Sequence, residues 1–159
     1  MAWALAKSPA LSKLWAAPGS AGMSGLAELA AIDPLDGAAV ARFCRDNGVE
    51  LLVVGPEAPL AAGVADAARA EGIPVFGPGR DGARLESSKA FAKDFMRRHG
   101  LPTARAIAGD ATAAKAAAHG FGGRCAVKAD GLAAGKGVVV CTTIDSALAS
   151  VDALSATAA

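Results

Sequence analysis

Apolar and polar residues alternate in short blocks along the first half of the chain, and glycine or proline separates the blocks. Residues 50–54 form the clearest predicted strand, and a loop with Glu57 and then a helix follow it. A strand, a loop and a helix in succession favour a parallel α/β unit, in which ligands bind outside the carboxyl ends of the strands. Glu57 is therefore expected at such a strand end. The pattern predicts strands over residues 13–17, 26–32, 50–54 and 74–76, and helices over residues 34–47 and 60–71.

The second half of the chain repeats this alternation after a predicted domain junction near residue 83. A helix is expected from Ser87, with Phe91 and Phe95 one turn apart on a buried face. Lys89 lies nearly opposite that face and, taken alone, is typical of a solvated helix lysine. The pattern further predicts strands over residues 103–108, 125–130 and 138–141, and helices over residues 111–119 and 143–154.

The predicted strand over residues 125–130 carries a lysine in its interior. Ala126, Lys128 and Asp130 share one face of this strand, because successive side chains point to opposite sides. A lysine amid apolar neighbours must reach water or meet a fixed anion, since burying an unpaired ammonium costs several kcal/mol. The glycine-rich segment that follows favours the anion.

Three glycines and a second lysine stand between the last two predicted strands. Gly131, Gly135 and Gly137 let the backbone approach a ligand closely and turn its N–H groups towards an anion. Lys136 adds a mobile positive charge. We interpret the segment as a flap over a triphosphate. The alternative is a long hairpin loop with a solvated lysine, in which the glycines only turn the chain.

Two other nucleotide-binding motifs do not fit this sequence. A Walker A loop needs four residues between its glycines and a hydroxyl after the lysine, whereas here three residues intervene and Gly137 replaces the hydroxyl. Residues 77–82 have the form G-x-G-x-x-G, but their strand is short and Pro78 removes a backbone donor. No acidic residue stands near residues 103–107 to take a ribose hydroxyl. We assign residues 77–82 to a turn between domains.

Composition narrows the class of protein. With 53% hydrophobic and 19% charged residues, the chain is expected to be globular rather than disordered. A net charge of +1 gives no basic field for nucleic acid, so small molecules are the expected partners. No apolar run is long enough for a membrane span, and the expected location is the cytoplasm. Cys44, Cys125 and Cys141 lack metal or redox spacing and are interpreted as reduced, packed thiols. His99 and His119 fit structural roles at helix ends.

Five segments carry a resemblance to a known family. They are APGSAG at 17–22, GPEAPLAAG at 55–63, LESSKAFAKDFM at 85–96, LPTA at 101–104 and VKADGLAAGKGVVV at 127–140. In this order and spacing they resemble the phosphoribosylamine-glycine ligase family, also called glycinamide ribonucleotide synthetase. The resemblance implies an α/β fold, with a Rossmann-like amino domain at residues 1–82 and the beginning of an ATP-grasp domain at residues 83–159.

The resemblance also implies an activity and a set of binding residues. The family is an ATP-dependent ligase that forms a C–N bond between glycine and phosphoribosylamine in purine synthesis, with magnesium as a further cofactor. By resemblance, Lys89 and Lys128 match two lysines directed at the nucleotide phosphates. Residues 131–137 match a loop that closes over the β- and γ-phosphates. A segment on the amine-substrate side of the site is matched by Gly55, Pro56 and Glu57.

The sequence departs from the family pattern at both ends. Family members begin with a strand and a G-x-G-G-R-E-H loop, and here Met1 falls inside the helix that follows them. The family's magnesium-binding carboxylate and asparagine lie beyond the last residue. We therefore expect a fragment that does not turn over alone, and no catalytic or metal-binding residue is assigned in it. Two alternatives remain open: a nucleotide-binding remnant without catalytic activity, and another ATP-grasp carboxylate-amine ligase.

Overall fold

A computed structural model describes residues 1–133, 135 and 137–156. The chain divides into two compact units, an amino unit at residues 1–83 and a carboxyl unit from residue 84 onwards. The helices are α1 Ala2–Leu5, α2 Gly37–Asp46, α3 Glu57–Ala62, α4 Val64–Ala70, α5 Arg80–Ser87, α6 Lys89–Arg98, α7 Ala111–Gly120 and α8 Ile144–Ala156. The strands are β1 Trp15–Ala16, β2 Glu28–Leu29, β3 Leu52–Val53, β4 Val75–Phe76, β5 Cys125–Lys128 and β6 Val138–Cys141. In the part of the chain described, no helix combines the length and the apolar character that a membrane crossing requires.

Parallel strands form the sheets of the amino unit. β1 pairs with β2, and β3 pairs with β4. Parallel neighbours need a crossover connection, and α3 and α4 supply it between β3 and β4. The predicted parallel α/β class of this half is thus confirmed. The paired segments are shorter than the predicted strands over residues 13–17, 26–32 and 50–54.

The helix predicted over residues 60–71 differs from the helices observed. It begins at Glu57 rather than Leu60, because Pro59 fits the first turn of α3, where a backbone N–H has no intrahelical partner. Gly63 then adopts a left-handed φ of +90°, which ends α3 and separates it from α4. The prediction that Glu57 stands in a loop was therefore wrong. Its carboxylate lies in the first turn of α3.

The core of the amino unit lies between two helices and the sheet. Val40 and Cys44 of α2 pack with Val64 and Ala68 of α4, and Ile73 completes the buried cluster. The thiol of Cys44 is buried, which raises its pKa and keeps it protonated. This agrees with its predicted role as a packed thiol.

Asp36 caps the amino end of α2, and its removal should destabilise the amino unit. Its carboxylate accepts a hydrogen bond from the Ala39 N–H at 2.9 Å. Asp36→Ala is expected to lower the free energy of unfolding by about 1 kcal/mol, because one N–H at the helix start then loses its partner. Asp36→Asn is the matched control, since asparagine caps as well as aspartate. Urea unfolding of the three proteins tests this, and equal losses in both variants would contradict it.

The turn predicted over residues 77–82 is helical from Arg80 onwards. The Arg80 N–H donates to Asp66 Oδ2 at 2.7 Å, so the carboxylate of Asp66 takes the place of a local cap for α5. This partner stands 14 residues earlier in the chain, which the local pattern does not reveal. The assignment of residues 77–82 as a turn was thus wrong for residues 80–82.

An antiparallel hairpin and two helices form the core of the carboxyl unit. β5 pairs with β6 so that Cys125 lies opposite Cys141 and Lys128 opposite Val138. One face of the hairpin carries a buried cluster made of Cys141 of β6, Ala118 of α7 and Ala147 of α8. The predicted pair of strands around the glycine loop is therefore confirmed. All three cysteines are free thiols, as the sequence predicted.

The buried face predicted for α6 is only half-buried. Ser88 caps this helix by accepting a hydrogen bond from the Phe91 N–H at 3.1 Å. The Phe91 ring is covered by the guanidinium of Arg84 at 3.9 Å, and the Phe95 ring lies 4.3 Å from that of His99. Within the described structure, no residue of α6 is fully buried.

The strand predicted over residues 103–108 was wrong. These residues are exposed and form neither a helix nor a strand. The Lys93 ammonium donates to Thr103 Oγ1 at 2.6 Å and to the Ala104 carbonyl at 2.9 Å. The Ala104 carbonyl thus bonds to a side chain, and among the described residues no strand pairs with this segment. Local β propensity does not make a strand without a neighbour.

Candidate functional site

The candidate site lies in the carboxyl unit, where β5 ends and the glycine segment begins. Lys128 is the last residue of β5, and it lies on the exposed face together with Ala126. The alternation of half-buried and exposed residues continues to Asp130, as the sequence predicted. Within the described part of the chain, no carboxylate or carbonyl oxygen accepts a hydrogen bond from the Lys128 ammonium. Its positive charge is therefore available to a ligand.

Lys89 is placed at the same end of the hairpin by its position at the start of α6. Its Nζ donates to the carbonyl oxygen of Gly131 at 2.6 Å, and it is partly buried. The interpretation of Lys89 as a solvated helix lysine was thus wrong. The structure brings Lys89 together with the first glycine of the loop, although the two residues stand 42 positions apart in sequence.

Asp130 connects the end of the hairpin to the first turn of α6. Its Oδ1 accepts hydrogen bonds from the N–H groups of Lys89 at 2.6 Å and Ala90 at 3.2 Å. Its Oδ2 accepts one from the Ser88 hydroxyl at 3.1 Å. The negative carboxylate is favourable here, since the amino end of a helix carries a partial positive charge. Asp130 was not among the predicted site residues.

Hydrogen bonding controls the ionisation of Asp130. Partial burial by itself raises the pKa of this carboxyl group. The hydrogen bonds from the Ala90 and Lys89 N–H groups, the Ser88 hydroxyl and the Gly131 N–H lower it more, so the pKa lies below its ordinary value of 3.8. Asp130 is therefore a carboxylate at neutral pH.

Acid should destabilise the carboxyl unit through Asp130. A carboxyl group with a lower pKa in the folded state stabilises that state above its unfolded pKa, and this contribution is lost as pH falls through the folded pKa. The excess stability of the native protein over Asp130→Asn should therefore shrink below pH 3.8. Urea unfolding of both proteins at neutral pH and at successive values below 3.8 measures it. An excess that stays constant with pH would contradict this cause.

The glycines of the loop are required for different physical reasons. Gly131 and Gly135 have left-handed φ values of +91° and +79°, which side chains rarely adopt. A Cβ at Gly137 would instead lie 2.6 Å from the Cβ of Ala133 and 3.3 Å from that of Ala129. Gly137 thus allows the two sides of the loop to approach closely. Its carbonyl accepts the Ala129 N–H at 2.9 Å and extends the ladder beyond β5. Lys136, also predicted to bind phosphate, lies outside the described residues.

An open cleft of about 430 Å³ borders the exposed lysine. Lys128, Asp130 and Asp110 line it together with Val151 and Ser155. Both carboxylates accept hydrogen bonds from N–H groups at the start of a helix. Asp110 accepts the Ala113 N–H of α7 at 2.8 Å, and Asp130 accepts the Lys89 N–H of α6. Lys128 is thus the charge in this set that lacks a partner among the described residues, and it is the cleft's candidate contact for an anion.

The segment predicted to bind the amine substrate belongs to the amino unit. Gly55 precedes α3, Pro56 is its N-cap residue and Glu57 is its first residue. Among the described residues, the Glu57 carboxylate has no hydrogen-bond or ion-pair partner. A carboxylate in the first turn stabilises a helix, so this position has a structural explanation as well as a functional one.

The residues that the structure describes offer no metal site to compare with the magnesium expected from the resemblance. In the described residues, no group of three His, Cys, Asp or Glu side chains could hold a metal ion. The two carboxylates of the cleft are engaged by helix N–H groups. We assign no magnesium ligand among these residues.

Fold and site together define the class of protein, and the sequence comparisons give the family. A parallel α/β unit is followed by a hairpin with a glycine-rich loop, which is the arrangement at the beginning of an ATP-grasp ligase. The family description "Phosphoribosylglycinamide synthetase, N domain" matches residues 1–86, and "Phosphoribosylglycinamide synthetase, ATP-grasp (A) domain" matches residues 87–158. The chain belongs to the phosphoribosylglycinamide synthetase family.

Relatives of this chain carry the name phosphoribosylamine–glycine ligase. The protein of Mesorhizobium japonicum is 51% identical over 154 residues, which are 96% of this chain and 36% of that protein. The protein of Streptomyces coelicolor is 53% identical over 150 residues, which are 94% of this chain and 36% of that protein. The crystal structure of phosphoribosylamine–glycine ligase from Thermotoga maritima matches with a TM-score of 0.72 and 27% identity, over 93% of this chain and 34% of that one. The chain thus spans about a third of the length of the relatives it matches.

Proposed function

We propose that this chain supplies nucleotide-binding elements of an ATP-dependent ligase that joins glycine to phosphoribosylamine. The products are glycinamide ribonucleotide, ADP and phosphate, and the new bond is a C–N bond. The observation that carries the proposal is the exposed Lys128 ammonium at the base of the glycine loop. Among the described residues it has no partner, and it borders an open cleft whose carboxylates are already engaged. The family membership and the names of the relatives support the choice of reaction.

The proposed roles of the site residues follow from where they stand. Lys128 is fixed at the end of β5 and contacts the nucleotide phosphates directly. Lys89 stands at the loop base and serves the same phosphates from the start of α6. Gly131, Gly135 and Gly137 allow the loop to cover the β- and γ-phosphates, and Lys136 contributes its charge there. Catalysis of phosphoryl transfer rests mostly on positioning and on stabilising the charge that develops on the phosphoryl group, to which backbone N–H groups and lysines contribute beside a bound metal ion.

The amino unit is proposed to serve the other substrates. We assign residues 1–82 to a Rossmann-like domain and residues 83–159 to the beginning of the ATP-grasp domain. Gly55, Pro56 and Glu57 follow a parallel strand at its carboxyl end, where ligands bind in such sheets. We propose that they contact the amine substrate. The partners of the protein are then ATP, glycine and phosphoribosylamine, and the reaction takes place in the cytoplasm.

Release of ADP tests this function in a full-length ligase that contains this chain, since the 159-residue chain alone is expected not to turn over. The expected result for that ligase is ADP formation from ATP that requires both glycine and phosphoribosylamine. ADP formation with a different carboxylate and amine would instead identify another ATP-grasp ligase. ATP binding without ADP formation under any of these conditions would favour a nucleotide-binding protein and contradict the proposed reaction.

A further inference from the structure

The carboxylate of Asp130 serves a helix that is distant in sequence. Helix caps are usually local, as where the Ser88 hydroxyl accepts the Phe91 N–H of the same helix. Asp130 instead accepts the Lys89 N–H across 41 residues and the Ala90 N–H across 40. Its second oxygen holds the Ser88 hydroxyl, so one side chain engages the cap residue and the two residues that follow it. Asp130 thereby fixes the start of α6 against the end of the hairpin.

The same contact fixes Lys89 relative to Lys128, which its own strand holds in place. Lys128 stands two residues before Asp130, at the end of β5. Lys89 is held twice at the loop base, through its backbone N–H on Asp130 and through its ammonium on the Gly131 carbonyl. A polyphosphate that bridges two lysines binds tightly only if their separation is set beforehand, because otherwise binding must immobilise both side chains and their backbones.

We propose that Asp130 is a positioning residue that couples α6 to the base of the glycine loop and so sets the separation of Lys89 and Lys128. The inference rests on the proposed role of these lysines in nucleotide binding. Asp130 acts through its neighbours and not on the nucleotide, since both of its oxygens accept hydrogen bonds from α6 or its cap residue. These donors and the positive end of the helix stabilise a carboxylate close to an anion site.

Hydrogen exchange in the native protein, followed by mass spectrometry, tests the coupling without any ligand. Asp130→Ala should speed exchange at least 10-fold both in peptides covering residues 88–92 and in peptides covering residues 127–131. Asp94→Asn is a matched control on α6, because Asp94 pairs with Arg97 and Arg98 of its own helix. It should leave the loop base unchanged. Faster exchange confined to residues 88–92 in Asp130→Ala would overturn the coupling.

Titration calorimetry with ATP and Mg²⁺ tests whether the coupling serves the nucleotide. Asp130→Ala should weaken ATP binding by 10-fold or more. Asp130→Asn should recover most of the affinity, because its amide oxygen still accepts the Lys89 and Ala90 N–H groups. Asp130→Glu keeps the charge but lengthens the side chain by one methylene, so it should bind ATP more weakly than Asp130→Asn. Recovery by Asp130→Glu and not by Asp130→Asn would show that charge matters and position does not, and would overturn the inference.

A variant that removes a helix cap elsewhere in the chain shows whether a loss of stability alone weakens ATP binding. Asp36→Ala removes a local helix cap in the amino unit and should leave ATP affinity within twofold of the native value. Equal affinities of Asp130→Ala and Asp36→Ala would overturn the positioning role. A native protein that does not bind ATP would contradict the proposed function, and the exchange rates would still decide whether Asp130 couples α6 to the loop.

Discussion

Lys128→Ala is expected to weaken ATP binding by about 1.5 to 3 kcal/mol, which is roughly a 10- to 150-fold rise in Kd. The reason is that one charge-assisted contact to a phosphate is lost from a residue that its strand already holds in place. Titration calorimetry of the native protein and the variant measures the change. Lys115→Ala is the matched control, because Lys115 belongs to the same unit and its ammonium pairs with Asp152 at 2.6 Å. Equal affinities in native protein and Lys128→Ala would contradict the proposed contact.

Lys136→Ala should behave differently from Lys128→Ala if the loop closes during the reaction. In a full-length ligase that contains this chain, we expect it to lower kcat with a smaller change in ATP affinity, as for an interaction made mainly in the transition state. Steady-state rates alongside calorimetry separate the two effects. Equal losses of affinity in the two variants, without an additional loss of turnover in Lys136→Ala, would show that the loop is a static binding element.

Gly123→Ala is expected to destabilise the carboxyl unit by about 3 kcal/mol or more. Gly123 stands between α7 and β5 with a left-handed φ of +75°. An added Cβ would collide with the backbone of Thr143 and Ile144, and no side-chain rotation relieves a collision with backbone. The segment that precedes α8 would therefore have to move away from the hairpin.

Gly122, the neighbouring residue, allows the cost of backbone strain to be measured without a steric collision. Gly122 also has a left-handed φ, of +61°, but a Cβ there meets nothing within 4 Å. Gly122→Ala should therefore cost only about 1 kcal/mol, from the backbone conformation alone. Urea unfolding followed by circular dichroism compares the two variants. Equal losses of unfolding free energy in the two variants would show that the collision of an added Cβ at Gly123 with residues 143 and 144 does not destabilise the protein.

The site could be predicted from sequence where short-range geometry determines it. The period of two along a strand placed Lys128 on one face with Ala126 and Asp130, a face that the structure shows to be exposed, and the glycine content identified the loop. The role of Asp130 could not be predicted, because its donors stand about 40 residues earlier and no local pattern connects them. The sequence placed Asp130 at the end of the predicted strand, but it did not indicate which groups donate hydrogen bonds to its carboxylate.

The errors in the predicted fold also arise from contacts between residues that are distant in sequence. The strand predicted over residues 103–108 relied on local preference, whereas a strand forms only beside a neighbour, and Lys93 holds the Ala104 carbonyl instead. The start of α5 inside a predicted turn depends on Asp66, 14 residues before Arg80. Local signals were sufficient to predict that α2 and α6 exist but not where they begin. The predicted starts were residues 34 and 87, whereas Asp36 and Ser88 cap helices that begin one residue later, at Gly37 and Lys89.

We propose that Lys128 and the glycine loop hold the phosphates of a nucleotide. Titration of the native protein and of Lys128→Ala with ATP, ADP, AMP and adenosine tests it most directly. Affinity for the native protein should fall as phosphates are removed, and the weakening caused by Lys128→Ala should be largest for ATP and absent for adenosine. Adenosine binding as tight as that of ATP, or an equal weakening of all four ligands by Lys128→Ala, would contradict the claim.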